Sequence, residues 1–260
     1  GSNVQGLCPG DCIFGLVPGA LGSCVIGHQT TVTRMPASLT FSEAATLPTV
    51  FLTAQLALRT AGDISSTDRV LIHAATGGVG LAALQLIQSS GATGFATAGS
   101  PSKRSFIRQS GCQHASNSRN LEFVEDVISQ GGATVVLNSL TSPGMIAASL
   151  SLLRHRGRLI EISKRDIWSP HRLLSERPDM QYTLLALDFL PGTTIKGMLL
   201  DLSQSVARQQ IQPLRSTCFE IESVKTAFKY IASAQHIGKV VACAPTGSLD
   251  SNGMGGSVMI

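Results

Sequence analysis

Between positions 68 and 240, short apolar segments alternate with longer amphipathic segments. Short apolar runs, such as Val70-Leu71-Ile72-His73 and Thr134-Val135-Val136-Leu137-Asn138, are typical of buried strands. Amphipathic segments with one apolar face, such as Gly78 to Ser89, follow them and predict helices. Strands joined by helical crossovers form a parallel sheet. The pattern therefore predicts an α/β fold built on a doubly wound, Rossmann-type nucleotide-binding domain.

The same alternation predicts the remaining elements of this domain. We expect further strands at Gly94–Ala98 and at Arg158–Ile162, the second after a turn at Gly157, and further helices at Val124–Ser129 and Met145–Leu153. The flanks differ, because residues 1–45 are rich in Gly, Pro, Cys and Thr and predict a turn-rich antiparallel element. From Thr246 on, Gly and Ser dominate, which is typical of a linker.

Composition excludes several classes of protein. With 43% hydrophobic and 14% charged residues, the 260-residue chain has enough apolar surface to fold, which excludes an intrinsically disordered protein. The formal net charge of +4 comes from scattered basic residues, and only 5% of the residues are aromatic, so we expect no nucleic-acid binding. No apolar run reaches the roughly 18 residues of a membrane span, and we expect a soluble cytoplasmic protein that does not contact a membrane.

Part of the cysteine pattern has the spacing of metal ligands. Cys8, Cys12, Cys24 and His28 loosely resemble a zinc site. The turn-forming Pro9-Gly10-Asp11 between the first two cysteines, and the strand-like residues that follow, argue against it. We therefore expect reduced thiols and no bound metal.

A glycine-rich loop follows the first strong strand. Ala75-Thr76-Gly77-Gly78-Val79-Gly80 is a G-x-G-x-x-G motif with alanine at its first position, and it opens a helix. Such glycines let the backbone approach a pyrophosphate, whose charge then lies at the helix N-terminus. The motif predicts dinucleotide binding by Thr76, Gly77, Gly78, Val79 and Gly80, and the alternative is a glycine cluster that serves helix packing. His73, at the mouth of the loop, is expected to be a hydrogen-bonded strand-end residue rather than a catalytic base.

The residues after the second strand distinguish between the two nicotinamide dinucleotides. NAD sites place an acidic residue there to bind the ribose 2′-hydroxyl, whereas this chain has Ala96-Thr97-Ala98-Gly99-Ser100 and then Lys103-Arg104. A hydroxyl and two cations suit a 2′-phosphate. Cations at a helix N-terminus also oppose its dipole, which favours a ligand role over a solvated helix start. We therefore predict NADPH as the cofactor, with Ser100 and Lys103 at its 2′-phosphate.

Longer strings resemble the enoyl reductase domain of modular polyketide synthases and animal-type fatty acid synthases. They are Val70-Leu71-Ile72-His73-Ala74-Ala75-Thr76-Gly77-Gly78-Val79-Gly80, Val135-Val136-Leu137-Asn138-Ser139-Leu140, Gly157-Arg158-Leu159-Ile160-Glu161-Ile162-Ser163-Lys164-Arg165-Asp166 and His236-Ile237-Gly238-Lys239-Val240-Val241. The resemblance runs in order from about Val4 to Ala244. That domain belongs to the zinc-free branch of the medium-chain dehydrogenase/reductase superfamily, which further disfavours a metal.

The resemblance implies a reaction and a set of partners. The reaction is the NADPH-dependent reduction of a trans-2-enoyl thioester, carried on an acyl carrier protein, to the saturated acyl thioester in polyketide or fatty acid synthesis. Hydride goes to the β-carbon, and a proton donor then delivers a proton to the α-carbon. Ketoreductase and dehydratase domains are the implied neighbours in a multifunctional synthase.

The resemblance also implies a domain organisation. It places an NADPH-binding Rossmann domain at 49–191 and a partial GroES-like, β-rich substrate domain at 1–48 and 192–245. Residues 246–260 are expected to be a linker whose last six residues resemble the first strand of a ketoreductase domain. Because Val4-Gln5-Gly6-Leu7-Cys8-Pro9-Gly10-Asp11 is similar to an internal string of the substrate domain, we expect a segment of a larger synthase whose upstream strands are missing.

The family's proposed proton-donor pair has counterparts in this chain. A lysine in a G-K-x-D string and an aspartate some two dozen residues later map to Lys164 and Asp188, with Ser163 in place of the glycine. From the residues alone, a surface ion pair would be the simpler interpretation. The other residues that the resemblance assigns to the cofactor are Thr53 and Asn138 near the nicotinamide, Arg119 beside the 2′-phosphate, and Lys239, which could instead cap the last strand.

One departure from the family opens alternatives. Where many members have T-A-Y-Y-x-L, this chain has Thr53-Ala54-Gln55-Leu56-Ala57-Leu58, so the tyrosine implicated in proton donation and in α-methyl stereochemistry is replaced by Gln55. Lys164 with Asp188, or water, would then protonate the enolate. Two other functions stay open, namely a free-standing NADPH quinone or enone reductase and an inactive domain that retains NADPH as a scaffold.

Overall fold

The computed structural model describes residues 4–22, 24–165, 167–244 and 257–259. Within them the strands are β1 (Ile13–Gly15), β2 (Val32–Arg34), β3 (Arg69–Ile72), β4 (Thr93–Ala98), β5 (His114–Asn117), β6 (Ala133–Asn138), β7 (Leu153–Glu161), β8 (Gln181–Leu184), β9 (Ser216–Glu220), β10 (Lys239–Cys243) and β11 (Ser257–Met259). The α-helices there are α1 (Phe41–Ala45), α2 (Pro48–Gln55), α3 (Gly78–Ser90), α4 (Pro101–Gln109), α5 (Glu122–Ser129), α6 (Met145–Ser151), α7 (Pro170–Glu176), α8 (Gly192–Ala207) and α9 (Val224–Ala232). A π-helical segment, Leu56–Ala61, directly continues α2, and 3-10 turns cover Gln29–Thr31, Leu187–Phe189 and Ile221–Ser223.

The chain divides into two compact units. One is formed by Gly1–Leu52 together with Leu187–Ile260, and the other by Thr53–Ala186. Among the described residues, no helix is long and apolar enough to cross a membrane.

The second unit is built on a six-stranded parallel sheet. Its strand order is β5-β4-β3-β6-β7-β8, and every neighbouring pair is parallel. Strands such as β3 and β6 are apolar along their length because both faces of the sheet are covered. From the centre of the sheet, successive strands are added outward on one side from β3 to β5 and on the other side from β6 to β8. The point between β3 and β6 where this direction reverses is where doubly wound sheets bind their ligands. The predicted α/β fold with a doubly wound sheet is confirmed.

Apolar side chains from the sheet and its helices form the core of this unit. Leu71, Phe95 and Val136 come from three neighbouring strands, and Phe123 of α5 packs against them. Phe123 is fully buried, and Trp168, the single tryptophan of the chain, packs at the edge of this cluster. The fluorescence of Trp168 therefore reports on the folding of this unit.

The region around Gly157 differs from the sequence-based prediction. Helix α6 ends at Ser151 rather than at Leu153, and β7 begins at Leu153 and continues through Gly157 without a turn. The register between β6 and β7 instead shifts between Ala133 and Val135, as in a bulge. Arg156 lies among the extra residues of β7 at this shift and has a positive φ of 58°. A glycine that marks a bulge rather than a turn is hard to recognise from local sequence.

The first unit contains a two-stranded sheet, a three-stranded sheet and the 16-residue helix α8. Strands β1 and β2 pair antiparallel, as predicted for the N-terminal flank, with Phe14 opposite Thr33. Strands β9 and β10 pair parallel, and β11 pairs antiparallel with β10. The predicted linker from Thr246 on lies mostly outside the described residues.

Candidate functional site

The glycine-rich loop joins β3 to α3. Within it, one part of the backbone lies very close to another. Gly77 is the N-cap of α3 in an extended conformation, and Ala74 takes a positive φ of 50° at the start of the loop. A Cβ on Gly80 would lie 2.5 Å from the Cα of Ala75, so only glycine fits there. The Ala75 N–H donates to the Thr97 carbonyl at 2.9 Å and fixes the loop against β4.

The first turn of α3 is therefore presented to a ligand at the reversal point of the sheet. Its N–H groups have no acceptor within the helix, and the helix dipole adds positive potential there. These features fit the pyrophosphate of a dinucleotide. The predicted binding residues Thr76, Gly77, Gly78, Val79 and Gly80 lie together in this loop and first turn.

His73 lies under the loop and is 3% exposed. Its Nδ1 is 3.0 Å from the Thr97 hydroxyl, and its Nε2 is 2.9 Å from the Ser149 hydroxyl. Phe123 meets the imidazole edge to face at 5.1 Å between ring centroids. Burial lowers the pKa of His73 to about 3, so the ring is neutral at physiological pH. The expectation of a hydrogen-bonded strand-end histidine matches this geometry.

Three cationic side chains surround the carboxyl end of β4. Ser100 caps α4, with its hydroxyl accepting from the Lys103 N–H at 3.3 Å. Arg119 comes from the loop after β5, and its Nε lies 3.1 Å from where a Cβ of Gly99 would be. Burial and the nearby charge of Arg119 lower the pKa of Lys103. Arg104 donates to the Ala98 carbonyl at 3.2 Å. Like charges held together in this way suit a dianionic phosphate.

The carboxyl ends of β6 and β7 hold a buried polar pair. Asn138 and Glu161 are in register, and they are 0% and 2% exposed. Asn138 Nδ2 donates to Glu161 Oε2 at 2.5 Å, and the Ser163 N–H donates to Glu161 Oε1 at 2.7 Å. Asn138 Oδ1 accepts from the Leu140 N–H at 3.3 Å. Burial and the charge of Glu161 raise the pKa of Tyr182.

Glu161 is not among the candidate residues that the sequence indicates. The available signal is an acidic residue directly after the buried apolar pair Leu159-Ile160 in β7. The family resemblance assigns Asn138 to the nicotinamide. In the structure its side chain forms hydrogen bonds with the Glu161 carboxylate and the Leu140 N–H. A position beside the nicotinamide stays a prediction.

The remaining candidate residues are divided between the two units. Lys164 is exposed in the bend that follows β7, and Thr53 is half-buried in α2, both in the second unit. Asp188 is exposed in the 3-10 turn Leu187–Phe189 of the first unit. Lys239 begins β10 of the first unit, where burial lowers its pKa. The pairing of Lys164 with Asp188 stays a prediction.

Gln55 stands at the last position of α2, next to the π-helical segment. It is 6% exposed, and its Nε2 has no hydrogen-bond partner among the described residues. A buried amide without a partner is costly, and π-helical turns occur often at functional sites. The residue that replaces the family tyrosine is therefore itself an unsatisfied donor.

The candidate zinc ligands do not form a metal site in the described part of the chain. Cys8, Cys12 and Cys24 are exposed thiols, and His28 Nδ1 lies 2.7 Å from the Thr30 hydroxyl. Across the residues that the structure describes, no group of three or more His, Cys, Asp or Glu side chains could hold a metal ion. These residues do not fit a zinc ion.

Comparison with known proteins gives a consistent set of relatives. The sequence pattern of the zinc-binding dehydrogenase family matches residues 110–241, about half of the chain. The spectinabilin polyketide synthase protein NorB of Streptomyces orinoci is 38% identical over 248 residues, which cover 94% of this chain and 11% of that protein. The chain thus spans about a tenth of the length of that synthase.

Two solved structures resemble the chain over most of its length. The crystal structure of the CurK enoyl reductase is 37% identical with a TM-score of 0.85, and the match covers 94% of this chain and 75% of that one. The quinone oxidoreductase of Thermus thermophilus, also solved in complex with NADPH, is 27% identical with a TM-score of 0.78. That match covers 89% of this chain and 76% of that one.

Proposed function

This chain belongs to the enoyl reductase domains of polyketide synthases, and on that premise we propose that it reduces the double bond of a trans-2-enoyl thioester with NADPH. The family assignment made from the sequence is confirmed by the relatives, and it places the chain among oxidoreductases of the medium-chain dehydrogenase/reductase superfamily. The match to the CurK enoyl reductase, at 37% identity over 94% of this chain, is the observation that carries the proposal most directly.

The choice of NADPH rests on the second unit. The glycine-rich loop and the first turn of α3 fit the pyrophosphate, and Ser100, Lys103 and Arg119 would hold the 2′-phosphate. The segment from the end of β4 through α4 has no acidic side chain, which would repel that phosphate. Similarity to a quinone oxidoreductase solved with NADPH supports the same cofactor.

The chemistry divides between the cofactor and the protein. Bound NADPH supplies a hydride to the β-carbon of the enoyl group, and the α-carbon then needs a proton. Lys164, with Asp188 as its partner, is proposed as the proton source because both match the family pattern. Gln55 can donate a hydrogen bond to an oxygen of the substrate, but its amide cannot release a proton under physiological conditions.

We further propose the setting of the reaction. The substrate is an acyl group on an acyl carrier protein, and the neighbours in the parent synthase are ketoreductase and dehydratase domains. The reaction takes place in the cytoplasm, where the free cysteines of this chain stay reduced. Similarity to a much longer polyketide synthase supports these partners.

A steady-state assay tests this function. The purified chain is mixed with NADPH and either a crotonyl thioester of pantetheine or a quinone, and NADPH oxidation is followed by absorbance. Oxidation with the thioester and little with the quinone is the expected result. Faster oxidation with the quinone would favour the second candidate, a quinone reductase, which is supported by the structural similarity to the Thermus thermophilus enzyme. Oxidation with neither substrate would leave a cofactor-binding scaffold and refute the proposal.

A further inference from the structure

The carboxylate of Glu161 connects the two chain segments that leave the sheet after β6 and β7. One of its oxygens accepts from the Asn138 amide, at the end of β6, and the other accepts from the Ser163 N–H, just beyond β7. Because residues in register on neighbouring parallel strands lie side by side, Asn138 and Glu161 face each other at the last rung of the sheet. One buried side chain thus holds two connections at the edge where the cofactor is proposed to bind.

The chemistry of a carboxylate fixes the orientation of both partners. An ionised carboxylate only accepts hydrogen bonds, so the Asn138 amide must turn its NH₂ group toward Glu161. The Asn138 oxygen then points to the Leu140 N–H, from which it accepts at 3.3 Å. The same requirement turns the Ser163 N–H inward, and this sets the direction of the bend at Ser163, Lys164 and Arg165.

The burial of Glu161 makes these contacts necessary. At 2% exposure, its carboxylate has lost most of its hydration and would be costly without donors on its oxygens. A residue that served only to fill this strand end would be apolar, like its neighbours Leu159 and Ile160. The polar pair is therefore better explained by the orientation that it imposes.

We propose that Glu161 is a positioning residue, which holds the bend carrying Lys164 in the orientation needed for proton delivery without touching the substrate. This inference rests on the proposed function, because Lys164 is the proposed proton source. It assigns a role to a residue outside the candidate set defined from the sequence.

Hydrogen-bond polarity allows a test by substitution and rescue. In Glu161→Gln, the new side chain has one acceptor oxygen and one donor NH₂ group, so it cannot accept from both Asn138 and Ser163. In Asn138→Asp, two carboxylates face each other and repel. In the double variant, the new amide on β7 would donate its NH₂ group to the new carboxylate on β6. The oxygen of that amide would accept from Ser163, and the carboxylate would still accept from Leu140. All three hydrogen bonds are then restored, and the negative charge lies on β6 instead of β7.

Hydrogen exchange measures the connection independently of catalysis. We expect Glu161→Gln to speed amide exchange in residues 162–169, and we expect the double variant to return it to the wild-type rate. Glu176→Gln is the matched control, because Glu176 is exposed at the end of α7 in the same unit. Unchanged exchange in Glu161→Gln would overturn the proposal even if the reductase activity were absent. Absent activity in the wild type would instead refute the proposed function.

Kinetics then test the positioning role. We expect Glu161→Gln to lower kcat for the enoyl thioester by between about tenfold and a hundredfold, with the Kd for NADPH within about twofold of wild type. Glu161→Gln should cause no further loss in a Lys164→Ala background. Full additivity of the two substitutions would contradict positioning through Lys164.

Discussion

The buried imidazole of His73 predicts a loss of stability in mild acid. Ser149 donates its hydroxyl proton to the Met145 carbonyl at 2.8 Å, so it can only accept from His73 Nε2–H. His73 Nδ1 then accepts from the Thr97 hydroxyl, and both nitrogens of the neutral ring are satisfied. A second ring proton would bring an unpaired charge into the core.

The sign and size of the effect follow from the pKa of His73. It is lowered from 6.5 to about 3, so the folded state binds fewer protons than the unfolded state between these values. The contribution of His73 to stability is therefore complete above pH 6.5 and is lost progressively as the pH falls toward 3. From pH 7 to pH 5 the expected loss in the free energy of unfolding is about 2 kcal/mol.

Urea unfolding at pH 7 and pH 5, followed by the fluorescence of Trp168, measures this loss. In His73→Gln the change between the two pH values should shrink by about 2 kcal/mol relative to wild type. His171→Gln is the control, because His171 is exposed in α7 of the same unit and this variant should keep the wild-type loss. If wild type and His73→Gln lost equal stability, the neutral buried state of His73 would be refuted.

Three further predictions concern the ligand sites. Gly80→Ala should weaken NADPH binding, measured by fluorescence titration, at least about tenfold, because its Cβ would meet the Ala75 backbone, whereas Gly197→Ala in α8, with open space among the described residues, should leave binding unchanged. Lys103→Ala and Arg119→Ala should each weaken NADPH binding between about tenfold and a hundredfold and leave NADH binding unchanged, and an equal loss for both cofactors would contradict the 2′-phosphate site. Gln55→Met should raise the stability of the ligand-free protein by about 1–3 kcal/mol, because it removes a buried NH₂ group that has no partner among the described residues, and a lower Tm in thermal unfolding would show that this group is already satisfied.

Local patterns were enough to predict the main architecture. The alternation of strands and helices depends on short-range periodicity, and the need for glycine at Gly80 follows from the strand-loop-helix context. Both could be predicted because neither requires knowledge of distant residues.

Features that depend on strand register could not be predicted from the residues alone. Glu161 gains its significance from Asn138, which lies 23 positions earlier and becomes its neighbour only when β6 and β7 align. The approach of Arg119 to Gly99 likewise depends on the pairing of β5 with β4, although the family resemblance had suggested its role. The π-helical turn after Gln55 has no simple sequence signal.

The most direct test of the central claim follows the hydride itself. The purified chain is incubated with NADPH that carries deuterium at both C4 positions of the nicotinamide and with a crotonyl thioester of pantetheine, and the product is examined by mass spectrometry and NMR. We expect a saturated butyryl thioester with one deuterium at the β-carbon. Recovery of the unreduced thioester, or deuterium at the α-carbon, would contradict an enoyl reductase.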